Sequence, residues 1–305
     1  MLVFPDFYPA FACIAGRCRH SCCRGWEIDI DAESLFRYDS LSGAWGERLR
    51  SVIVREDVPH FRLTAEECCP FLRPDGLCEM IRELGGESLC DICREHPRFY
   101  NELPGRTEVG LGMCCEEAVR LLLSGTEPLR LMAKTERGET PALPVPAVLE
   151  RARVFAALRR RDIPLTKRME KAAESLGVLS APFDEKRTAK FLLTLERMDP
   201  EWTRALERLA ESPEVPPAPE GIRYERIAEY FIFRHFLSGK NADARAARAQ
   251  AAFLLTRLLS ALERCCKLSL AELLRLCSSE LEYSGENTAA VIAYVGELMR
   301  STGPM

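Results

Sequence analysis

The second half of the chain repeats apolar residues every three to four positions, the period of an amphipathic helix. The pattern predicts seven helices: PAVLERARVFAALRRR, EKRTAKFLLTLERM, PEWTRALERLAE, YERIAEYFIFRHFL, ADARAARAQAAFLLTRLLSALERC, SLAELLRLCSSELEYS and ENTAAVIAYVGELMR. The proline-rich run SPEVPPAPEG, at 212–221, separates the first three from the last four and is typical of a linker. Little strand signal is present, so we expect a helical bundle or layer.

Residues 1–125 follow a different pattern, with short elements between many turn signals. DAESLFRYDSL predicts a short helix with Asp31 as its N-cap, and WEIDIDAE predicts an alternating strand that leads into this cap. RPDGLC predicts a tight turn. CCEEAVRLLLSG predicts a helix that ends at Gly125, a natural C-cap.

These patterns predict a mainly α protein in which an irregular, cysteine-rich, metal-binding lobe packs on a helical bundle. The expected domains are 1–125 for the cysteine-rich, iron–sulfur-binding lobe and 126–305 for the helical domain. At 305 residues, with 47% hydrophobic and 29% charged residues, the chain has the composition of a globular protein with a substantial core.

The charge of the chain argues against a nucleic-acid partner. The formal net charge is −4, and residues 1–125 carry 14 Arg and no Lys against 21 Asp and Glu. The N-terminal stretch lacks the basic region of a secretion signal. AAFLLTRLLSAL, the most apolar helical stretch, is interrupted by Arg257 and is too short to cross a bilayer. We therefore expect a cytoplasmic protein without a membrane partner.

Cysteine usage points to a metal. In a reducing compartment disulfides are rare, so clustered cysteines indicate metal binding or catalysis. The chain has 14 cysteines. Eleven of them fall within the first 115 residues, namely Cys13, Cys18, Cys22, Cys23, Cys68, Cys69, Cys78, Cys90, Cys93, Cys114 and Cys115. The other three, Cys265, Cys266 and Cys277, lie in helical patterns and are expected in the core.

The spacing of the cysteines does not decide which metal is bound. A zinc ribbon needs two CxxC pairs, and only Cys90 and Cys93 supply one. The radical-type CxxxCxxC motif is missing because Gly25 stands at its third position. His20 and His96 lie near cysteines and could bind or orient a metal ligand. His60 and His235 are expected to be ordinary surface or core residues.

Four cysteine motifs resemble those of the flagellin lysine N-methylases, namely CRHSCCRGWEIDID, CPFLRPDGLCEM, LCDICREHPR and CCEEAVRLLL. That family lies within a wider group of cysteine-rich, CxxCxxCC-type bacterial proteins described as zinc- or iron-chelating. The likeness extends more loosely to YERIAEYFIFRHFL and ELEYSGEN in the second half.

The resemblance implies a [4Fe–4S] cluster, S-adenosylmethionine as the methyl donor and a surface lysine of flagellin as the acceptor. The cysteines that match the family's motifs are Cys13, Cys18, Cys22, Cys23, Cys69, Cys78, Cys90, Cys93 and Cys115. One cluster needs only four of these nine, so either two centres exist or several are not ligands. Cys68 and Cys114 fall outside the pattern. Cys114-Cys115-Glu116 also replaces the family's usual Ser-Cys-Pro.

Methylation requires the lysine amine to lose its proton before it attacks the sulfonium methyl group. Acids next to cysteine motifs are the candidate acceptors: Glu27, Asp29, Asp31, Glu116 and Glu117. Glu282 and Tyr283, in ELEYSGEN, are further candidates for a catalytic cleft. Trp26 and Tyr283 could bind the donor's sulfonium through their ring faces.

Each of these candidates also has a purely structural interpretation. Trp26 can be a core residue, Glu116 and Glu117 can be first-turn helix residues favoured by the helix dipole, and ELEYSGEN can be a helix end with a new N-cap. At the level of the whole protein, the alternatives are a non-enzymatic metal-chelating or electron-transfer module and a structural zinc protein.

Overall fold

The computed structural model describes residues 1–135, 145–213 and 218–301, and its architecture is mainly helical, as predicted. The chain divides into two compact units. The first, called here the cysteine unit, comprises residues 12–98 and 115–117. The second, called the helical unit, comprises residues 1–11, 99–114 and 118–305.

This division differs from the predicted domain boundary at residue 125. Residues 1–11 and 99–114 belong to the helical unit because strand β1 (Leu2–Pro5) pairs with strands from later in the chain. Such long-range pairing leaves no periodic signal in a short stretch of sequence. The predicted linker at 212–221 lies partly outside the described residues.

The helical unit contains most of the helix residues. Its helices are α5 (Glu116–Ser124, whose first two residues fall in the cysteine unit), α6 (Pro146–Leu158), α7 (Leu165–Glu174), α8 (Glu185–Leu192), α9 (Pro200–Glu211), α10 (Ile222–His235), α11 (Ala242–Cys265), α12 (Leu270–Cys277) and α13 (Gly285–Ser301). All seven helices predicted from the apolar period are present, although α8 is shorter than its pattern. The sequence pattern missed α7.

Helix α11 is the centre of this unit. It packs against α10 and α13 and also touches α7, α8, α9 and α12. Its apolar residues from Ala246 to Leu262 are largely buried, and Cys277 on α12 is fully buried, as expected for a core cysteine. Cys265 and Cys266, by contrast, are half-buried at the end of α11, with their sulfur atoms 3.6 Å apart.

The helical unit also contains a sheet that the sequence analysis did not predict. Its strands, in order, are β5 (Arg98–Leu103), β6 (Arg106–Leu111), β1 and β7 (Leu131–Lys134). Strand β1 runs parallel to β6 and antiparallel to β7. The connection from β5 to β6 is only two residues long, and it turns at Gly105, whose φ of +69° suits glycine.

The cysteine unit is built from short elements. They are β2 (Ile28–Asp29), α1 (Ala32–Ser40), α2 (Gly43–Val52), β3 (Ile53–Val54), β4 (His60–Phe61), α3 (Glu79–Leu84) and α4 (Asp91–Glu95). Strands β2, β4 and β3 form a small sheet in that order. The predicted cap is confirmed, since a carboxylate oxygen of Asp31 accepts a hydrogen bond of 2.8 Å from the amide of Ser34. The predicted turn is confirmed at Gly76, whose φ is +76°.

None of the helices in the described ranges, with 136–144, 214–217 and 302–305 set aside, is both long enough and apolar enough to cross a bilayer.

Candidate functional site

Five cysteines lie in the hydrophobic core of the cysteine unit. Cys69 and Cys90 are buried among Ile28, Phe61 and Phe71, and three partly buried cysteines pack against the same cluster. The five, called here the core thiol set, are Cys23, Cys69, Cys78, Cys90 and Cys93. Residues that are more than fifty positions apart in sequence are thus gathered in one core.

Short backbone contacts hold the segments that carry these cysteines. The amide of Cys69 donates a hydrogen bond of 2.8 Å to the carbonyl of Cys23. Cys78 forms a β-bridge with Leu72 and stands at the N-cap position of α3, while Cys90 stands at the N-cap position of α4. Cys78 and Cys90 are therefore each placed by a helix start, where backbone N–H groups are unpaired.

Backbone amides point at several of these sulfur atoms. The amide of Phe71 hydrogen-bonds the sulfur of Cys69, that of Cys93 bonds Cys90, and those of Met80 and Ile81 bond Cys78. Amide N–H donors directed at a sulfur favour the thiolate, which is the form that binds metal. Hydrogen bonds of this kind also accompany cysteine sulfurs in iron–sulfur sites and tune their potentials.

Two pairs of thiols share a hydrogen bond. The hydrogen bond from Cys22 lowers the pKa of Cys23 to about 7, and that from Cys93 likewise lowers the pKa of Cys90. The donors respond in the opposite direction, so the pKa values of Cys22 and Cys93 are raised. Burial raises the pKa of Cys69 to about 12. Both acceptor sulfurs belong to the core thiol set.

The other four cysteines of the family pattern form a second group, called here the outer thiol set: Cys13, Cys18, Cys22 and Cys115. Cys22 interacts electrostatically with both Cys13 and Cys115. The thiol of Cys18 donates to Oε2 of Glu116 at 3.8 Å. The break between the two sets runs between the adjacent residues Cys22 and Cys23, whose sulfur atoms are in contact.

The donor chemistry of these thiols suits a soft metal. Within the described part of the chain, no three His, Cys, Asp or Glu side chains stand close enough together to hold a single metal ion. The core thiol set nevertheless supplies five sulfur donors from three segments, two of them acceptors in thiol pairs. Thiolates are the ligands preferred by zinc and by iron–sulfur clusters, so the chemical type of these donors, but not their spacing in this structure, suits the cluster that the resemblance implies.

The two cysteines outside the family pattern have other partners. The thiol of Cys68 donates to the carbonyl of Glu66 at 3.3 Å. Cys114 belongs to the helical unit, where it hydrogen-bonds the hydroxyl of Tyr283. Of the two histidines near cysteines, His20 donates its amide to the sulfur of Cys18, and burial lowers the pKa of His96 to about 4.

Trp26 and the acids that follow it lie where strand β2 and helix α1 of the cysteine unit begin. The Trp26 ring is half-buried, its indole N–H donates to the carbonyl of Cys22 at 2.7 Å, and its centroid lies 5.9 Å from that of His96. Glu27 and Asp29 are exposed. Asp31 accepts from the amide of Asp91 at 2.8 Å in addition to its capping bond. The strand at Ile28–Asp29 and the Asp31 cap match the structural interpretation of WEIDIDAE, whereas Trp26 is not a core residue.

Glu116 is bound by Arg19. The amide and the Nε of Arg19 donate to the two Glu116 oxygens at 3.0 and 3.1 Å. Although burial acts to raise it, these bonds lower the pKa of Glu116. A carboxylate with a lowered pKa is a poor proton acceptor, so Glu116 is better suited to fixing the chain next to Cys18.

A second candidate site lies in the helical unit, around Glu282. This carboxylate is 2% exposed, and Nε2 of His235 lies 2.6 Å from its Oε1. The hydroxyls of Tyr230 and Ser278 donate to Oε2 at 2.9 and 2.5 Å, and Nε of Arg234 lies 3.3 Å from Oε1. Although burial acts to raise it, Arg234 and His235 hold the pKa of Glu282 at about 2.

Glu282 lies at the end of an irregular stretch of backbone. Residues Ser278–Glu282, which the sequence analysis expected to continue α12, form a π-helical turn between α12 and α13. Such turns are rare and recur at functional sites. His235 and Glu282 also line a pocket of about 30 Å³, together with Arg248 and with apolar residues that include Leu255 and Val291.

Tyr283 follows the turn and has its own partners. The guanidinium of Arg234 lies 5.0 Å from the Tyr283 ring centroid and 4.9 Å from that of Phe99. Burial, together with the charge of Cys114, raises the pKa of Tyr283. The Tyr283 ring therefore already has a cation over it, which weakens the expectation that it binds a sulfonium.

Four residues of this site were not predicted from the sequence, namely His235, Tyr230, Arg234 and Ser278. An ordinary role was expected for His235 because a single histidine in an amphipathic helix carries no pattern of its own. Its partner Glu282 lies 47 positions further along. The available signal was that YFIFRH and ELEYS, the two segments that meet here, had both been singled out for their family likeness.

Sequence comparison finds known proteins that are similar to part of this chain. A lysine-N-methylase of Salmonella typhimurium (strain LT2) is 25% identical over 138 residues, which cover 43% of this chain and 34% of the relative. The lysine-N-methylase of Salmonella choleraesuis matches to the same extent. Part of the chain is thus similar to proteins named lysine-N-methylase. It spans about a third of the length of these two relatives.

A third relative carries a flagellar name. The flagellar biosynthetic protein FliU of Salmonella muenchen is 25% identical over 137 residues, which cover 43% of this chain and 81% of that protein. No protein-family model and no solved structure matches the chain. The resemblance expected from the cysteine motifs is thus confirmed by named relatives.

Proposed function

We propose that this chain is an iron–sulfur-dependent methyltransferase that transfers a methyl group from S-adenosylmethionine to surface lysines of flagellin. The observation that carries the proposal is the relationship to proteins named lysine-N-methylase and flagellar biosynthetic protein. The gathered thiols support the iron–sulfur part, because soft donors brought from distant segments into one core suit a metal centre.

The core thiol set is the proposed holder of the [4Fe–4S] cluster. It contains five cysteines, one more than a cluster needs, and four of them can be drawn from the three segments around Cys23, Cys69 and Cys90. Held by three of these cysteines, the cluster would supply a Lewis-acidic iron to bind the amino and carboxylate groups of the methyl donor. The outer thiol set then either stabilises the loop that carries Cys13, Cys18 and Cys22 or binds a second metal.

The chain's own residues have separate parts in the transfer. A lysine amine has an ordinary pKa of about 10.4, so a site must remove its proton and align it with the donor. Trp26, whose ring is half-buried in the cysteine unit, remains the candidate for contact with the donor's sulfonium. Glu116 is assigned to positioning, since Arg19 neutralises it. A cytoplasmic location, where thiols stay reduced, is part of the proposal.

Anaerobic purification followed by a methylation assay tests this function. The reconstituted protein is mixed with S-adenosylmethionine and purified flagellin under reducing conditions, and lysine peptides are weighed by mass spectrometry. We expect added methyl mass on flagellin lysines, and a brown protein that contains iron and sulfide. Iron without methylation would favour the electron-transfer alternative, and zinc without iron would favour a structural zinc protein.

The matched control for the cluster is a pair of serine variants. Cys90→Ser removes a buried sulfur of the core thiol set, whereas Cys68→Ser removes one that lies outside this set and bonds the Glu66 carbonyl. We expect Cys90→Ser to lose most of its iron and Cys68→Ser to keep it. Equal iron content in both variants would contradict the assignment of the core thiol set as the ligands of the cluster.

A further inference from the structure

Two adjacent cysteines, Cys265 and Cys266, bring their thiols together at the end of α11. Within a helix, the side chains of adjacent residues do not face each other. Cys265 is the last residue of α11, whereas Cys266 caps the helix with extended backbone, at φ −112° and ψ 156°. Because the chain leaves the helix between them, the two sulfur atoms approach to 3.6 Å. Both cysteines lie in the helical unit, apart from the core thiol set.

This pair is poorly suited to form a disulfide with itself. Neighbouring Cα atoms are about 3.8 Å apart, whereas a disulfide usually spans roughly 4.4–6.8 Å between Cα atoms. Closing a bond between adjacent cysteines therefore strains the backbone. Oxidation of the pair is easier with a sulfur atom that comes from a second molecule.

A cleft of about 160 Å³ opens beside Cys266. Its walls are one face of α9 and the connection between α11 and α12, and its charged lining residues are Glu201, Arg204, Arg208 and Lys267. The thiol of Cys266 donates to the carbonyl of Ala205 on α9 at 3.7 Å, so the sulfur lies against this face. The cleft is smaller than the roughly 300–1,000 Å³ of a pocket for a drug-sized ligand, so it suits one end of a small molecule.

The charge of the cleft favours an anion. Arg204, Arg208 and Lys267 are exposed cations, and Glu201 opposes them with one negative charge. Among the residues that the structure describes, none of the three cations forms an ion pair. They are therefore available to a ligand, and a guanidinium binds a carboxylate through two parallel N–H donors.

The two thiols differ in their hold on a proton. The hydrogen bond to Cys265, together with burial, raises the pKa of Cys266, against the opposing effect of the Arg208 charge. Cys266 therefore keeps its proton and donates it to the sulfur of Cys265. A sulfur that accepts a hydrogen bond is stabilised as the thiolate, which is the nucleophilic form.

We propose that Cys265, next to Cys266, is the site of reversible modification by a small disulfide that carries carboxylates. Arg204, Arg208 and Lys267 bind a carboxylate of this ligand. The sulfur of Cys265 attacks one sulfur of the disulfide, and a new sulfur–sulfur bond forms while the old one breaks. Cys265 is oxidised to a mixed disulfide, and the leaving sulfur is reduced to a thiol that takes the proton Cys265 has lost. The proposal does not rest on the proposed function.

Oxidised glutathione, a disulfide with carboxylates, is the probe for this site. The full chain, purified anaerobically, is treated with it and then digested with a Glu-specific protease. This protease releases residues 264–272, which contain Cys265 and Cys266, and residues 273–280, which contain the fully buried Cys277. We expect the mass of one glutathionyl group on 264–272, removed by dithiothreitol, and none on 273–280. No adduct on 264–272, or equal modification of the two peptides, would overturn the proposal.

Selectivity for an anion is tested with Arg208→Gln. We expect this variant to slow the adduct from oxidised glutathione roughly two- to fivefold and to leave unchanged the adduct from the uncharged disulfide of 2-mercaptoethanol. Lys190→Gln removes an exposed cation outside the cleft and is expected to leave both rates unchanged. Equal rates for Arg208→Gln and wild type, or equal slowing with both disulfides, would overturn the carboxylate-binding role.

Two serine variants identify the sulfur that attacks. Cys266→Ser keeps a hydroxyl donor next to Cys265, so we expect it to retain most of the adduct, whereas Cys265→Ser is expected to lose it. An adduct that forms on Cys265→Ser at the wild-type rate would overturn the assignment of Cys265. None of these measurements depends on methyl transfer, so they test the site even if flagellin is not methylated.

Discussion

The two units of this protein bury different kinds of side chain. The cysteine unit is made of short elements, and sulfur atoms occupy its core next to Phe61 and Phe71. The helical unit has long helices and buries carboxylates against arginines. Three of its glutamates, Glu108, Glu225 and Glu229, are at most 1% exposed and are paired with Arg151, Arg168 and Arg159.

The comparison shows where each unit obtains its stability. A carboxylate and a guanidinium satisfy one another, so these buried pairs need no ligand from outside the protein. Thiols are weak hydrogen-bond partners, so a core that contains five of them would gain most of its stability from the metal that we propose it binds. We therefore expect metal to matter for one unit and buried charge pairs to matter for the other.

Removal of metal gives the largest expected difference between the units. Binding of a metal by thiolates contributes on the order of 10 kcal/mol in small folds that depend on it. After chelation, limited proteolysis followed by mass spectrometry is expected to cut residues 12–98 much faster, while helices α10 and α11 stay protected. Equal cleavage rates in the two units, before and after chelation, would contradict the contrast.

A buried ion pair gives the next largest effect. Both oxygens of Glu108 are bonded by Arg151 at 2.6 Å, and Glu108 is 0% exposed. Glu108→Gln leaves the Arg151 charge buried, so we expect a loss of about 3–5 kcal/mol in the free energy of unfolding. The control is Glu174→Gln, which breaks an exposed pair with Lys171 and is expected to cost under about 0.5 kcal/mol. Similar losses in both variants, measured by denaturant melts, would refute the role of burial.

Much of the fold, but less of the candidate site, is predictable from the sequence. Helices such as α10 and α11 are long, so their apolar period shows in any window, and the Asp31 cap depends on neighbours three residues away. Strand β1 was missed because its partner β6 lies more than a hundred residues along the chain. The cysteine motifs gave nine candidate ligands as one group, because their separation into a core and an outer set depends on three-dimensional packing.

Acid pH is expected to destabilise the protein by protonating Glu282, which lies in the helical unit. Its pKa in the folded protein, about 2, lies below the ordinary value near 4.5, so the stabilisation is present above pH 4.5 and is lost as the pH falls through 2. The shift corresponds to about 3 kcal/mol. Between pH 4.5 and 2, Glu282→Gln is expected to lose less unfolding free energy than wild type does. Parallel pH curves for the two proteins, from denaturant melts, would contradict this.

The smallest predicted effect lies in the cysteine unit. Asp31 accepts from the amides of Ser34 and Asp91 at 2.8 Å each, so Asp31→Ala leaves two donors unpaired. We expect a loss of about 1–2 kcal/mol in the metal-loaded protein, measured by chemical denaturation. Asp57→Ala, at an exposed position, is the control and is expected to have almost no effect. An equal change in the free energy of unfolding of the two variants would show that the Asp31 cap does not stabilise the fold.

The central proposal is that this chain methylates lysines of flagellin. The most direct measurement is the mass of flagellin lysine peptides after anaerobic incubation of the iron-loaded protein with S-adenosylmethionine carrying a deuterated methyl group. The account predicts a mass increase of one deuterated methyl group on lysine peptides, which is absent when the donor or the protein is omitted. Unmodified lysine peptides in the presence of an iron-loaded, folded protein would contradict it.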